Sequence, residues 1–138
     1  MNNGQPEVTA PEAIRSLVAR IAHAADEGDV DTYADLYTSD AVWEMAGKPA
    51  NVGLTAIQSA TRERRAAGTS GPGTATRHIT SCVAVTVDSP DEAHAESVWQ
   101  FFADTATAPR LTAIGRYSDT FRRVDGRWLL ARRTIAVG

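Results

Sequence analysis

Apolar positions recur at helical spacing in the first third of the chain and at every second position in its latter half. Ile14, Leu17, Val18, Ile21, Ala22 and Ala25 form one continuous helical stripe, which has to lie on something apolar. Thr9 followed by Glu12 has the spacing of a capping box, Pro11 suits a first helical turn, and Gly28 closes the segment. Asp29 is placed to cap a short second helix with Val30, Tyr33, Leu36 and Tyr37 on its buried side. Residues 40–45 read as a turn into a short strand, and Gly47–Gly53 as a loop. Thr55 then caps a third helix, with Ile57 and Ala60 inward and Arg62, Glu63, Arg64 and Arg65 on a solvated face. From residue 77 the period becomes two, with strands expected at about 77–87, 93–103, 111–123 and 127–137. Asp88-Ser89-Pro90-Asp91 and Asp125-Gly126 supply turns, and residues 104–110 a longer connection. Helices first and antiparallel strands after predict an α+β fold: a curved antiparallel sheet with the N-terminal helices packed on one face.

Composition narrows this picture. A chain of 138 residues with 43% hydrophobic content fits one domain, expected over residues 9–138 after a loosely packed tail at 1–8. No apolar run approaches the roughly 20 residues that span a bilayer, and the N-terminus lacks the basic and apolar regions of a leader. A net charge of -3 speaks against a nucleic-acid surface. Cys82 is the only cysteine, so no intramolecular disulfide forms and a cytoplasmic setting is the default. Neither zinc-ligand spacing nor a phosphate-binding or dinucleotide glycine motif is present, so no metal and no cofactor are expected.

His78 is the candidate for chemistry. It follows the glycine-rich loop Gly68–Gly73 and opens the β-branched run from Ile79, which places it at a strand mouth, open to a cavity. Histidine trades protons near neutral pH, although such a position also suits a structural hydrogen bond to a loop. Asp26 falls on the shoulder of the first helical stripe and His23 on the opposite side, in solvent. A carboxylate that accepts one ring N–H fixes the tautomer of a histidine and stabilises the imidazolium that a base becomes. Strict alternation sets His78, Thr80, Cys82 and Ala84 on one face of their strand and Ile79, Val83, Val85 and Val87 on the other. Trp99 and Phe101 share a face of the next strand, opposite Val98, Gln100 and Phe102. With both faces partly apolar, a second subunit is expected on the outer face, giving a homodimer. Trp43, Tyr117, Trp99 and Phe101 are candidate walls for a flat apolar ligand, and equally suit a plain core. Arg133, or the hydroxyl of Tyr117, is a candidate donor for developing negative charge, although Arg133 equally suits a pairing with a surface carboxylate.

Ala25-Asp26-Glu27-Gly28-Asp29, Leu36 through Trp43, Gly53 with Ile57, Arg77-His78, Gly115 through Asp119 and Asp125-Gly126-Arg127-Trp128 follow one another between roughly Ile14 and Val137. In this order they resemble the nuclear transport factor 2-like superfamily of cone-shaped α+β domains, and within it the SnoaL-like branch, a resemblance that implies a cone-shaped sheet with the N-terminal helices on its concave face. It implies that Asp26 and His78 match the dyad of the family's dehydratases and dehydrochlorinase, with His78 removing a proton from carbon. Arg133 matches an arginine that holds the leaving group in the dehydrochlorinase. Other positions depart from the pattern: Ala25 and Met45 stand where scytalone dehydratase has tyrosines, and Ser97 where it has a second histidine. Ile21 stands where the dehydrochlorinase has a lysine, and Met45 and Ile21 where ketosteroid isomerase has its base and oxyanion tyrosine. The resulting expectation is a cofactor-independent lyase or isomerase/cyclase acting on a hydrophobic, polyketide-like small molecule. The rival is a non-catalytic ligand-binding domain of the same fold. A third class, epoxide hydrolase, needs a carboxylate-centred water site that the sequence does not assemble.

Overall fold

The computed structural model describes residues 7–138, so the tail expected at 1–8 falls almost entirely outside the described residues. Helix α1 spans Ala10–Glu27, α2 Val30–Ala34 and α3 Leu54–Ala66. Strands β1 (Tyr37–Met45), β2 (Asn51–Val52), β3 (Arg77–Ser89), β4 (Glu92–Ala103), β5 (Arg110–Val124) and β6 (Arg127–Val137) form one sheet in the order β2-β1-β6-β5-β4-β3. The sheet is curved and unclosed, with the helices on its concave side. The four long strands pair antiparallel as their alternation and turns predict. β1 instead joins the far side of β6 in parallel, starting at Tyr37 rather than Asp40. Tyr37 thus belongs to a strand and not to the second helix. Among the described residues no helix is long and apolar enough to cross a membrane.

Local chemistry accounts for the helix boundaries. The backbone N–H of Glu12 donates to Thr9 Oγ1 at 3.4 Å, and that of Thr32 to Asp29 Oδ1 at 2.7 Å, so both expected N-caps form. α3 starts two residues earlier than Thr55 suggests: its N-cap is Gly53, at φ +89°, a conformation open to glycine. The α1 stripe is buried, with Ile14, Leu17, Val18 and Ile21 packed against Tyr37, Phe121 and Leu130 in the main core. Burying each such side chain stabilises the fold by roughly 1.5–3 kcal/mol.

Simple alternation fails in β3. Cys82 adopts φ +52°, and the ladder shifts register between Ser81 and Ala84. This is a β-bulge, which inserts an extra residue and reverses the facing of all that follow. Val83 and Val85 therefore pack on the core, on the same side as His78 and Thr80, while Ile79 is exposed. Val83 and Val85 do not share a face with Ile79, and Cys82 points outward rather than beside His78.

Candidate active site

Between the helices and the concave face lies a cavity of about 200 Å³. Its sheet wall follows the register: His78 pairs with Phe101, Thr80 with Trp99, Trp99 with Gly115 and Tyr117 with Ile135. All but Gly115 line the cavity, joined from β1 and β6 by Trp43 and Arg133. Gly115 is there for space, because a Cβ on it would lie 2.6 Å from Trp99 Cζ2 and 2.0 Å from the Ala136 carbonyl oxygen. α1 contributes Ile21, Ala22 and Ala25, α2 Tyr33, and α3 Thr61, Arg64 and Arg65. No carboxylate is among the lining residues.

Asp26 stands behind His78 and outside that lining. It is buried in the last turn of α1, and its Oδ1 lies 2.6 Å from His78 Nδ1. The backbone N–H of His78 also donates to both carboxylate oxygens, at 3.2 and 3.0 Å. Those bonds offset the cost of taking a carboxylate out of water and fix both the strand entry and the ring of His78. A carboxylate only accepts, so Nδ1 carries the proton of the neutral ring and Nε2 keeps a lone pair. His78 is partly exposed and lines the cavity, its ring 4.7 Å from that of Phe101. The separation of the dyad in sequence is bridged by α1 lying across β3.

The end of α1 is held in place from α3. Arg65 donates to the carbonyls of Gly28 at 2.6 Å, Ala24 at 3.1 Å and Ala25 at 3.4 Å. A helix ends in carbonyls without partners, and α1 has no basic residue in its own last turn. Arg65 supplies that charge from outside. Gly71, at φ +105°, lets the following loop close on it: a Cβ there would sit 2.7 Å from Arg65 Cγ.

At the other end of the cavity Arg133 and Asp119 are both buried and paired twice, Nε to Oδ1 at 2.8 Å and Nη2 to Oδ2 at 2.9 Å. Burial alone would lower the arginine pKa, but the charge and hydrogen bonds of Asp119 outweigh it and raise it, so the guanidinium stays charged. It lies 3.7 Å from the centroid of the Tyr117 ring, which stacks on Trp99 at 6.0 Å. Burial pushes the Tyr117 phenol up to about 12, against the opposing charge of Arg133, so its hydroxyl remains a donor at neutral pH. Trp99 Nε1 is a buried donor with no protein partner among the described residues. No cluster of His, Cys, Asp or Glu among the described residues has the makings of a metal site.

The expected wall residues Trp43, Trp99, Phe101, Tyr117 and Arg133 thus meet in one cavity with His78, while Asp26 acts on it only through the histidine. Arg64 and Arg65 depart from the sequence reading. Both are half-buried and line the cavity instead of facing solvent, with Arg64 stacked 5.0 Å from the Trp43 ring centroid. Helical periodicity gives the angle of a side chain but not whether a neighbouring sheet edge covers it. Tyr33 and Thr61 were assigned no part in a site, and nothing in their spacing distinguishes them from core residues.

The SnoaL-like domain model matches residues 6–134. A nuclear transport factor 2-like protein with a cystatin-like fold from Novosphingobium aromaticivorans superposes with a TM-score of 0.78 at 27% identity, over 92% of this chain and 80% of its own. Aln2 from a Streptomyces species gives 0.81 at 20% identity, over 95% and 94%. A provisionally assigned scytalone dehydratase from N. aromaticivorans gives 0.74 at 20%, over 93% and 83%. No curated protein matches the chain. With a family model spanning nearly all of its folded length, the chain belongs to the SnoaL-like domain family of the nuclear transport factor 2-like superfamily.

Proposed function

We propose that this domain is a cofactor-independent lyase or isomerase/cyclase that removes a proton from carbon in a hydrophobic small molecule. The observation that carries the reading is the grip of Asp26 on Nδ1 and on the backbone N–H of His78. It leaves Nε2 as the free base of a residue in an apolar cavity wall. His78 Nε2 takes the proton as the C–H bond breaks, and the electron pair moves toward an adjacent carbonyl. Asp26 stabilises the imidazolium. The Tyr117 hydroxyl donates to the oxygen on which charge develops, and the Arg133 guanidinium under its ring adds a positive field. The leaving group then departs, or the proton returns at another carbon. Because Asp119 occupies two edges of Arg133, Tyr117 is the better placed donor. Elimination is also the chemistry named in the dehydratase neighbour, which shares the fold.

Deuterium uptake tests this without knowledge of the natural substrate. Aryl ketones with an acidic α-carbon, incubated with the protein in D2O and followed by NMR, should exchange faster with wild type than with His78→Ala. Equal exchange by both proteins would leave a binding domain as the reading. The outer face of the sheet, with Ile79, Leu111 and Ile114 exposed, is proposed as the seat of a homodimer. A monomer by light scattering at micromolar concentration would remove that assignment.

A further inference from the structure

Among the described residues three arginines reach the cavity, and their charges are disposed of differently. Arg133 is neutralised by Asp119. Arg65 is spent on the carbonyls that end α1. Arg64 has no carboxylate partner among the described residues, and its one hydrogen bond runs from Nη2 to Thr61 Oγ1 at 3.2 Å. Thr61 is itself fixed, its hydroxyl donating to the Ile57 carbonyl at 2.8 Å. The stack on Trp43 supports the guanidinium from one side. Arg64 is thereby a pre-positioned cation with free N–H groups in a wall that also offers several aromatic faces, and no carboxylate among the described lining residues competes for it.

We infer that the cavity selects a planar aromatic acid, with Arg64 holding its carboxylate while the ring lies against Trp43 and the neighbouring aromatic wall. The guanidinium fork matches a carboxylate in two parallel hydrogen bonds, and it strengthens as the ligand excludes water. The inference rests on the cavity being a ligand site, as proposed above, and gives that ligand a charge. It does not depend on whether His78 turns the ligand over. Arg64 is a specificity-determining residue at the opposite task from His78: it reads a group that does not react.

The test is a pair of isosteric probes, naphthalene-2-carboxylate and naphthalene-2-carboxamide, titrated into the whole protein. Quenching of Trp43 and Trp99, which both line the cavity, reports binding directly. Wild type should bind the carboxylate about tenfold or more tightly than the amide, a difference of about 1.4 kcal/mol or more. Arg64→Gln should erase that preference while shifting the amide less than about threefold, and Arg64→Lys should keep part of it. Thermal melts of both variants establish that they are folded. An amide that binds as tightly as the carboxylate in wild type overturns the carboxylate inference and leaves the ligand cavity standing. So does an Arg64→Gln variant that retains the preference. If neither probe binds, the ligand reading falls and this inference with it.

Discussion

Two histidine–aspartate pairs occur among the described residues, and their hydrogen bonds are nearly alike. His78 Nδ1 lies 2.6 Å from Asp26 Oδ1, and His94 Nδ1 lies 2.8 Å from Asp88 Oδ2. Their surroundings differ. The side chains of His78 and Asp26 are 23% and 2% exposed, those of His94 and Asp88 47% and 44%. The first pair joins α1 to the mouth of β3 and borders an aromatic cavity; the second spans the turn between β3 and β4 in open water. Bond length therefore does not mark a site. What distinguishes the first pair is a carboxylate withdrawn from solvent, held by the backbone as well as the ring, and a second ring nitrogen left over beside a cavity.

The largest effect should separate the pairs in turnover. Asp26→Asn presents the ring in the wrong tautomer and should cost about 10²–10⁴-fold in rate, His78→Ala at least as much. The double variant should be little worse than the worse single one, since the two act as a unit. His94→Ala and Asp88→Asn should stay within about twofold of wild type. Comparable losses in both pairs would show that the rate reports general damage rather than a dyad.

Stability should order the acidic groups by what they leave behind. Asp119→Ala strands a buried guanidinium and should cost about 3–5 kcal/mol in denaturant unfolding, whereas Asp119→Leu combined with Arg133→Met should recover most of that loss. Asp26→Ala orphans the backbone N–H of His78 and should cost about 1–3 kcal/mol. If Asp119→Ala proved as mild as a surface change, Arg133 would have to find another partner in the cavity, and the neutralised charge assumed for it would be wrong.

The sequence carried this comparison unevenly. The four long strands and α1 were readable from their period-two and helical apolar patterns and from turns that carry Asp, Pro and Gly, most cleanly in β4 and β5, where burial alternates. Asp26 was placed by helical angle and by the family resemblance, and α1 lying across β3 turns it toward His78. The bulge at Cys82 was not readable: a bulge inserts one residue without changing composition, and Cys82 shows no preference for positive φ. Nor was the parallel seat of β1 beside β6, since non-local pairing of a short strand leaves no local pattern. Arg64 and Arg65 looked like a solvated face because charge usually marks one. They line the cavity because long aliphatic stems let such residues bury while their heads find carbonyls or a ring.

The smallest effect concerns the exposed pair, and it tests whether proximity alone is worth anything. Asp88 and His94 are both close to half exposed, so their attraction is screened by water and salt and the side chains surrender rotamer freedom to meet. Asp88→Ala should therefore change unfolding free energy by about 0–1 kcal/mol, and raising the salt from 0.05 to about 1 M, where the screening length falls to about 3 Å, should shrink even that. The partnered tautomer should follow the same rule. In long-range proton–nitrogen NMR spectra of the neutral form, His78 should show one ring state, with Nδ1 protonated and Nε2 bare, because the buried carboxylate allows no other. His94 should average between tautomers, because water competes at both nitrogens. Were His94 as fully locked as His78, burial would not be the variable that separates the pairs, and the backbone N–H bonds to Asp26 would have to carry the distinction alone.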